Sequence, residues 1–171
     1  MATIYTRYFK SKYGELILGS YDDSLCLCDW RYRRMRSAVD QRVQKNLTAS
    51  YKEGETPVLE AAVRQLEEYF TGERKEFDLP LTLAGSDFQK QVWRVLQQIG
   101  YGQTESYLGL ASKLKNPQAI RAVAAANGAN ALAVFIPCHR VIGSDGSLTG
   151  YAGGIKVKER LLRLEAVSAG V

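Results

Sequence analysis

The sequence changes character near residue 85, and that change limits the chain to two small units built differently. Before it, residues 1–30 read as strands. Ile4, Tyr5, Tyr8 and Phe9 lead to a turn at Lys12–Gly14, Leu16–Leu18 follows, and a second turn at Asp22–Ser24 leads into Leu25–Trp30. After it, Ser86-Asp87-Phe88-Gln89 has the spacing of a capping box, with Ser at the N-cap and Gln at N3. The helix it opens carries Phe88, Val92, Val95, Leu96 and Ile99 and stops at Gly100. Phe77–Gly85 is the linker, and the units are expected at 1–85 and 86–171. A length of 171 residues suits one ordinary domain or two small ones.

The rest of the first unit is helix and loop. Arg31, Arg33, Arg34 and Arg36 form a basic cluster leading into a surface helix, and a solvated face is the expectation for it. Residues 46–56 are polar and predicted as a loop. Val58–Phe70 is predicted as a helix, with Leu59, Val63, Leu66 and Phe70 at helical spacing and Gly72 past its end. Cys26 and Cys28 lie two apart, on one side of a strand, and read as small core residues.

The second unit holds a helix-turn-helix pattern. Ser106 caps a helix through Leu108, Ala111 and Leu114. Asn116-Pro117 stops it and is expected to start another, Pro117–Ala126, with Asn as cap and Pro at the first helical position. That second helix surrounds Arg121 with Ala119, Ala122, Ala124, Ala125 and Ala126, so its backbone can approach a partner closely with one long cation protruding. Residues 131–136 are apolar throughout and read as a buried strand running into Pro137-Cys138-His139-Arg140-Val141-Ile142. A glycine-rich stretch, 143–154, precedes a last helix over about 156–166.

Charge divides unevenly between the units. Residues 1–85 contain 13 Lys and Arg against 13 Asp and Glu; residues 86–171 contain 10 against 5, so the whole net charge of +5 falls in the second unit. That excess suits a polyanion. The chain contains three cysteines and one histidine, which fits a reducing compartment and argues against both a disulfide framework and a Cys/His zinc site. Residues 1–20 are interrupted by Arg7, Lys10, Lys12 and Glu15 and do not resemble a signal peptide; no apolar run spans a membrane. A cytoplasmic protein is expected, or a nuclear one in a eukaryote. With no heptad and no exposed apolar stripe, a monomer is expected.

Cys138 is the candidate nucleophile. A thiolate needs a base or positive neighbours to form at neutral pH, and His139 and Arg140 are adjacent. The residues alone leave two readings open, a reactive cysteine and a packed core residue. Neighbouring residues on a strand face opposite ways, so His139 reaches Cys138 only in a turn or through a water. With no second histidine, a papain-like arrangement is disfavoured.

Pro137-Cys138-His139-Arg140-Val141-Ile142 resembles the active-site signature of the O6-alkylguanine-DNA alkyltransferases, the methylated-DNA–protein-cysteine S-methyltransferases. The resemblance extends through Phe88-Gln89, Val92-Trp93, Gly102, Ser106-Tyr107, Arg121-Ala122-Val123, Ala126-Asn127-Gly128, Asn130, Gly150-Tyr151-Ala152-Gly153-Gly154, Lys158-Glu159, Leu161-Leu162 and Glu165. It is strong over about 86–165 and looser before, through Tyr69–Gly72 and Phe77…Leu79-Pro80-Leu81. It implies an α/β (α+β) fold: a small ribonuclease-H-like N-terminal domain, then a winged-helix-like C-terminal domain with the helix-turn-helix.

The resemblance also implies roles. Cys138 would accept the alkyl group irreversibly, His139 would take the thiol proton through a water, Glu165 would orient His139, and Asn130 would brace the turn before the active site. Tyr107 would help rotate the nucleotide out and Arg121 would fill the gap in the stack. The carbonyls of Cys138 and Val141 and the backbone around Ala152 and Gly153 would line the guanine edge, and Tyr151 would wall the pocket. The implied partner is double-stranded DNA bearing O6-alkylguanine, with O4-alkylthymine as a possible further substrate and no cofactor or metal. The chain departs from the pattern at Ala131, where many members have Pro, and at Ala152, where some have Ser. Three other readings compete. A non-catalytic binder of alkylated DNA would lack the cysteine, a transcription factor would not depend on it, and a cysteine hydrolase would turn over an acyl substrate.

Overall fold

The computed structural model describes residues 1–170. The chain forms two compact units, Met1–Gly85 and a second from Ser86 onward.

In the first unit β1 (Ala2–Ser11), β2 (Gly14–Tyr21) and β3 (Ser24–Trp30) form an antiparallel meander. Gly14 at φ 142 and Asp22 at φ 51 make its turns, and both residue types tolerate positive φ. β3 is buried from Leu25 to Trp30 rather than alternating, so both of its faces are covered and Cys26 and Cys28 are core. Helix α1 (Arg36–Leu47) leads to β4 (Ala49–Glu53), which pairs parallel to β1 and completes the order β3-β2-β1-β4. The predicted loop 46–56 thus holds a strand. Only Ala49 in it is buried, so an edge strand of polar residues leaves no apolar pattern to read.

The basic cluster is also different from its expectation. Arg33 and Arg36 turn inward onto the carboxylate of Asp29, with Nη1–Oδ2 distances of 3.1 and 2.9 Å, and Asp29 is fully buried. A carboxylate taken out of water needs such partners, and here they come from the residues that a charge run assigns to solvent. Helix α2 (Pro57–Phe70) starts with Thr56 Oγ1 accepting from Leu59 N and buries Leu59, Leu66, Tyr69 and Phe70.

In the second unit α3 (Asp87–Leu96) opens with the capping box: Ser86 Oγ accepts from Gln89 N at 3.1 Å and Gln89 Oε1 accepts from Ser86 N at 3.0 Å. Two tighter turns carry the chain on to Ile99. A two-residue strand β5 (Glu105–Ser106) precedes α4 (Tyr107–Lys113), capped by Ser106 Oγ, and α5 (Ile120–Gly128) follows. Asn116 and Pro117 do not start α5. They lie in a turn in which Asn116 O accepts from Ala119 N, and α5 begins three residues after Pro117 without a side-chain cap. A 3₁₀ turn (Cys138–Arg140), β6 (Val141–Ile142), parallel to β5, and α6 (Ile155–Ser168) complete the unit.

Residues 131–136 are all buried, but they are not a strand. They close a tight turn, with Phe135 N donating to Ala133 O and Ile136 N to Leu132 O, both at 2.8 Å. Val134 sits at φ 72, a conformation a β-branched residue adopts only when its surroundings impose it. No helix is long and apolar enough to cross a membrane among the described residues.

Candidate active site

Asn130 explains the turn before Cys138. Its side-chain oxygen accepts from Leu132 N at 3.0 Å and its amide donates to Ile136 O at 2.8 Å, so one buried residue closes both ends of the segment. Cys138 N then donates to Ile136 O at 2.8 Å, and the chain tightens into the 3₁₀ turn. Cys138 and His139 therefore sit in a turn and not on a strand. Asn127, at the end of α5, directs its amide to Cys138 O at 3.5 Å, which links the end of that helix to the nucleophile's backbone.

The centre of the site is a buried carboxylate. Glu165 is fully buried on α6 and its Oε2 lies 2.6 Å from His139 Nε2. Arg140 grips the same carboxylate twice, Nε to Oε1 at 2.8 Å and Nη2 to Oε2 at 3.0 Å, while its Nη1 donates to Ile99 O at 2.6 Å. Gly102 N donates to Glu165 Oε1 at 3.3 Å. Gly102 adopts φ 77, and a Cβ there would approach Ala169 Cβ to 2.8 Å, so the position requires glycine on both counts.

These contacts fix the charge states. Burial alone would raise the Glu165 carboxyl, but the hydrogen bonds from His139 and Arg140 and the charge of Arg140 outweigh it and hold it down at about 2. Burial pushes His139 below its ordinary value, and Glu165 only partly opposes this. At neutral pH the pair is an ionised carboxylate with a neutral imidazole. An ionised carboxylate only accepts, so Nε2 carries the proton and Nδ1 is the basic nitrogen. A buried neutral imidazole with one nitrogen fixed by a carboxylate is equipped to take a proton at the other.

The remaining expected residues fall into three places. Val141 is buried on β6, directly after the 3₁₀ turn. Tyr151, Ala152 and Gly153 are partly exposed in the segment before α6, and the Tyr151 ring lies edge-on to His139 at 6.5 Å between centroids. Tyr107, in the first turn of α4, points its hydroxyl at Thr149 O, 3.5 Å away. Arg121 is exposed on the first turn of α5, beside exposed Ala122 and Ala125. Arg140, Gly102 and Asn127 were not assigned these contacts by sequence reasoning. One signal was present for the carboxylate: the buried stripe of α6 runs Lys158, Leu161, Glu165, which places charges at the apolar spacing of a helix.

The fold and site together define a two-unit protein whose helix-turn-helix unit carries a buried cysteine next to a Glu–His pair. Residues 87–167 match the family model described as 6-O-methylguanine DNA methyltransferase, DNA binding domain, and residues 4–83 match the ribonuclease-like domain of the same family. The constitutive methylated-DNA–protein-cysteine methyltransferase of Bacillus subtilis is 43% identical over 156 residues, 91% of each chain. The methylated-DNA–protein-cysteine methyltransferase of Methanosarcina acetivorans is 41% identical over 162 residues, 95% of this chain and 98% of that one. The crystal structure of Mycobacterium tuberculosis OGT in complex with DNA aligns with a TM-score of 0.82 at 39% identity, covering 96% of this chain and 94% of that one. The chain belongs to the 6-O-methylguanine DNA methyltransferase family, and its fold is the ribonuclease-like domain followed by the DNA-binding domain.

Proposed function

We propose that this chain repairs DNA by direct reversal, moving the alkyl group of O6-alkylguanine onto Cys138 and being consumed in the process. The observation that carries this reading is the buried Glu165–His139 pair beside Cys138, with His139 neutral and Nε2 committed to Glu165. His139 Nδ1 takes the thiol proton, through a water. The thiolate attacks the alkyl carbon, an S–C bond forms as the C–O6 bond breaks, and guanine leaves with the electron pair and takes up a proton at N1. A thioether has no ready leaving group at sulfur, so each chain reacts once.

The alkyl carbon lies in the base-pairing edge of the duplex, so the nucleotide must first leave the stack. The exposed face of α5, with Ala122 and Ala125 beside Arg121, suits close approach to a minor groove with one side chain inserted. Tyr107 and the segment around Tyr151, Ala152 and Gly153, together with the carbonyls of Cys138 and Val141, receive the base. The chain acts as a monomer in this reading.

Stoichiometry tests the proposal. Incubated with an excess of duplex containing one O6-methylguanine, the protein should remove one lesion per chain and then stop; continued turnover or no loss would reject it. Arg121→Ala should slow repair of the duplex by about 10- to 100-fold, the equivalent of an unstacking cost of a few kcal/mol. Its reaction with free O6-methylguanine base, which needs no flipping, should stay within about twofold of wild type.

A further inference from the structure

The turn of the helix-turn-helix is built on an unfavourable residue. Helix α4 ends in a closed cap, in which Lys115 N donates to Ser112 O at 2.9 Å and Asn116 N to Ala111 O at 3.0 Å. This pair of bonds reaches back from the two residues after the C-cap, needs the first of them in the left-handed region, and ordinarily has glycine there. Here that residue is Lys115, at φ 58. A Cβ is disfavoured in this conformation, and lysine lacks the short polar group with which Asn or Asp bonds the local backbone. The cap requires only the backbone conformation, so the side chain calls for a reason of its own.

The interior of the chain supplies none. Lys115 is exposed, as are Asn116, Pro117 and Gln118 after it, and among the described residues its ammonium makes no hydrogen bond or ion pair. Attraction to the carbonyl end of α4 is weaker at an exposed position than the left-handed backbone is unfavourable. The other charges of the motif are accounted for differently. Lys113, in the last turn of α4, pairs with Glu105 at 2.9 Å, and the two cancel. Arg121 is exposed on the first turn of α5 and makes no ion pair among the described residues. Lys115 and Arg121 are therefore the cations that the helix-turn-helix leaves uncompensated, one in its turn and one at the start of its second helix.

We propose that Lys115 binds a backbone phosphate of the duplex and occupies its strained position for that contact. An ammonium on a flexible four-carbon stem is a point charge suited to a phosphate oxygen. Phosphate contacts fix a protein's orientation on the duplex and carry no sequence information, which suits a protein that must inspect any sequence. In this arrangement Lys115 seats the turn on the backbone while Arg121 enters the stack. The inference deepens the repair reading and rests on its placement of α5 against the duplex.

The test is equilibrium binding of a short undamaged duplex to the full-length protein, followed by fluorescence anisotropy between about 50 and 200 mM salt, which reports phosphate contacts and needs no chemistry. Lys115→Gly should weaken binding about 5- to 10-fold at about 0.1 M salt and reduce the slope of log K against log salt by about 0.9, the share of one phosphate. Lys115→Arg keeps the charge and should stay within about twofold of wild type, with its slope unchanged. The same Lys115→Gly protein should have a higher urea midpoint, with its unfolding equilibrium constant lowered about 2- to 5-fold, because relief of the left-handed backbone exceeds the greater freedom that glycine loses on folding. Weaker binding together with greater stability is a pairing that a merely structural lysine would not give. Wild-type affinity and slope in Lys115→Gly would overturn the proposal, and so would a lower urea midpoint, which would make the lysine part of the helix's own cap. A wild type that self-alkylates while Lys115→Gly binds unchanged keeps the repair reading and loses this contact. A wild type whose slope depends on Lys115 but which never self-alkylates keeps the contact and loses the repair reading.

Discussion

Glu165→Gln should lower the rate of alkyl transfer by about 10²- to 10⁴-fold, the range associated with losing general base assistance, and should also destabilise the second unit. The two effects share one cause. The carboxylate orients His139 with its proton on Nε2 and neutralises buried Arg140. An amide of the same shape keeps the space but leaves the Arg140 charge without its counter-ion, and breaking a buried pair in this way costs about 3–5 kcal/mol.

The pH dependence separates the electrostatic part of that loss. Glu165 is held at about 2 against an ordinary value of 4.5, so its folded-state pKa is depressed. Its contribution to stability is complete above 4.5 and disappears as pH falls from there towards 2, and the drop corresponds to about 3 kcal/mol at 1.36 kcal/mol per unit. His139 is depressed below 6.5 and acts in the same direction, since protonating it favours the unfolded chain. Urea unfolding of the wild type should therefore show stability falling from pH 7 to 3. In Glu165→Gln the slope below pH 4.5 should be shallower, with only the smaller share from Glu105 and Asp145, which are also held below their ordinary values, remaining. Equal slopes in the two proteins would mean that the carboxylate is not the group being titrated.

The second large effect is expected at Trp93. Its ring is buried on α3 and its Nε1 donates to Ala126 O at 2.8 Å, at the end of the helix that carries Arg121 and Asn127. Trp93→Ala removes a large core side chain, and about 3–5 kcal/mol of stability should go with it. Trp93→Phe keeps most of the packing and leaves a buried carbonyl without its donor, at a cost of about 1–3 kcal/mol. Urea midpoints distinguish the two. If the indole contact also holds α5 in register with the Cys138 turn, Trp93→Phe should slow transfer from duplex DNA at temperatures where it remains folded. A midpoint within experimental error of wild type for Trp93→Ala would contradict the packing described here.

The helices were legible in the sequence because their signals are local. Ser86…Gln89 and Ser106…Gly109 each cap a helix with atoms a few residues apart, and Val58–Phe70 showed itself by its apolar spacing. One local signal failed, since Asn116-Pro117 forms a turn and α5 begins three residues after Pro117; the other elements misread were those whose conformation is set at a distance. Residues 131–136 have the composition of a buried strand, and short apolar runs do not reveal their conformation by periodicity. What makes them a turn is Asn130 bonding both ends and Val134 held at positive φ. Arg33 and Arg36 look like a solvated run until Asp29 is seen buried between them. At the site, Cys138 and His139 stood out through their adjacency and through the scarcity of both residue types. Glu165 came from the resemblance of the surrounding motifs. The grip of Arg140 on Glu165, and the glycine demanded at 102, depend on α6 folding back onto the 3₁₀ turn, and no short-range pattern encodes that.

The most direct measurement is the intact mass of the protein after incubation with a duplex containing one O6-methylguanine, with Cys138→Ala treated in parallel. The account predicts a gain of one methyl per chain, mapped to the Cys138 peptide and absent from the variant. Tight binding of the duplex with no change in mass, or the same gain in Cys138→Ala, would contradict it.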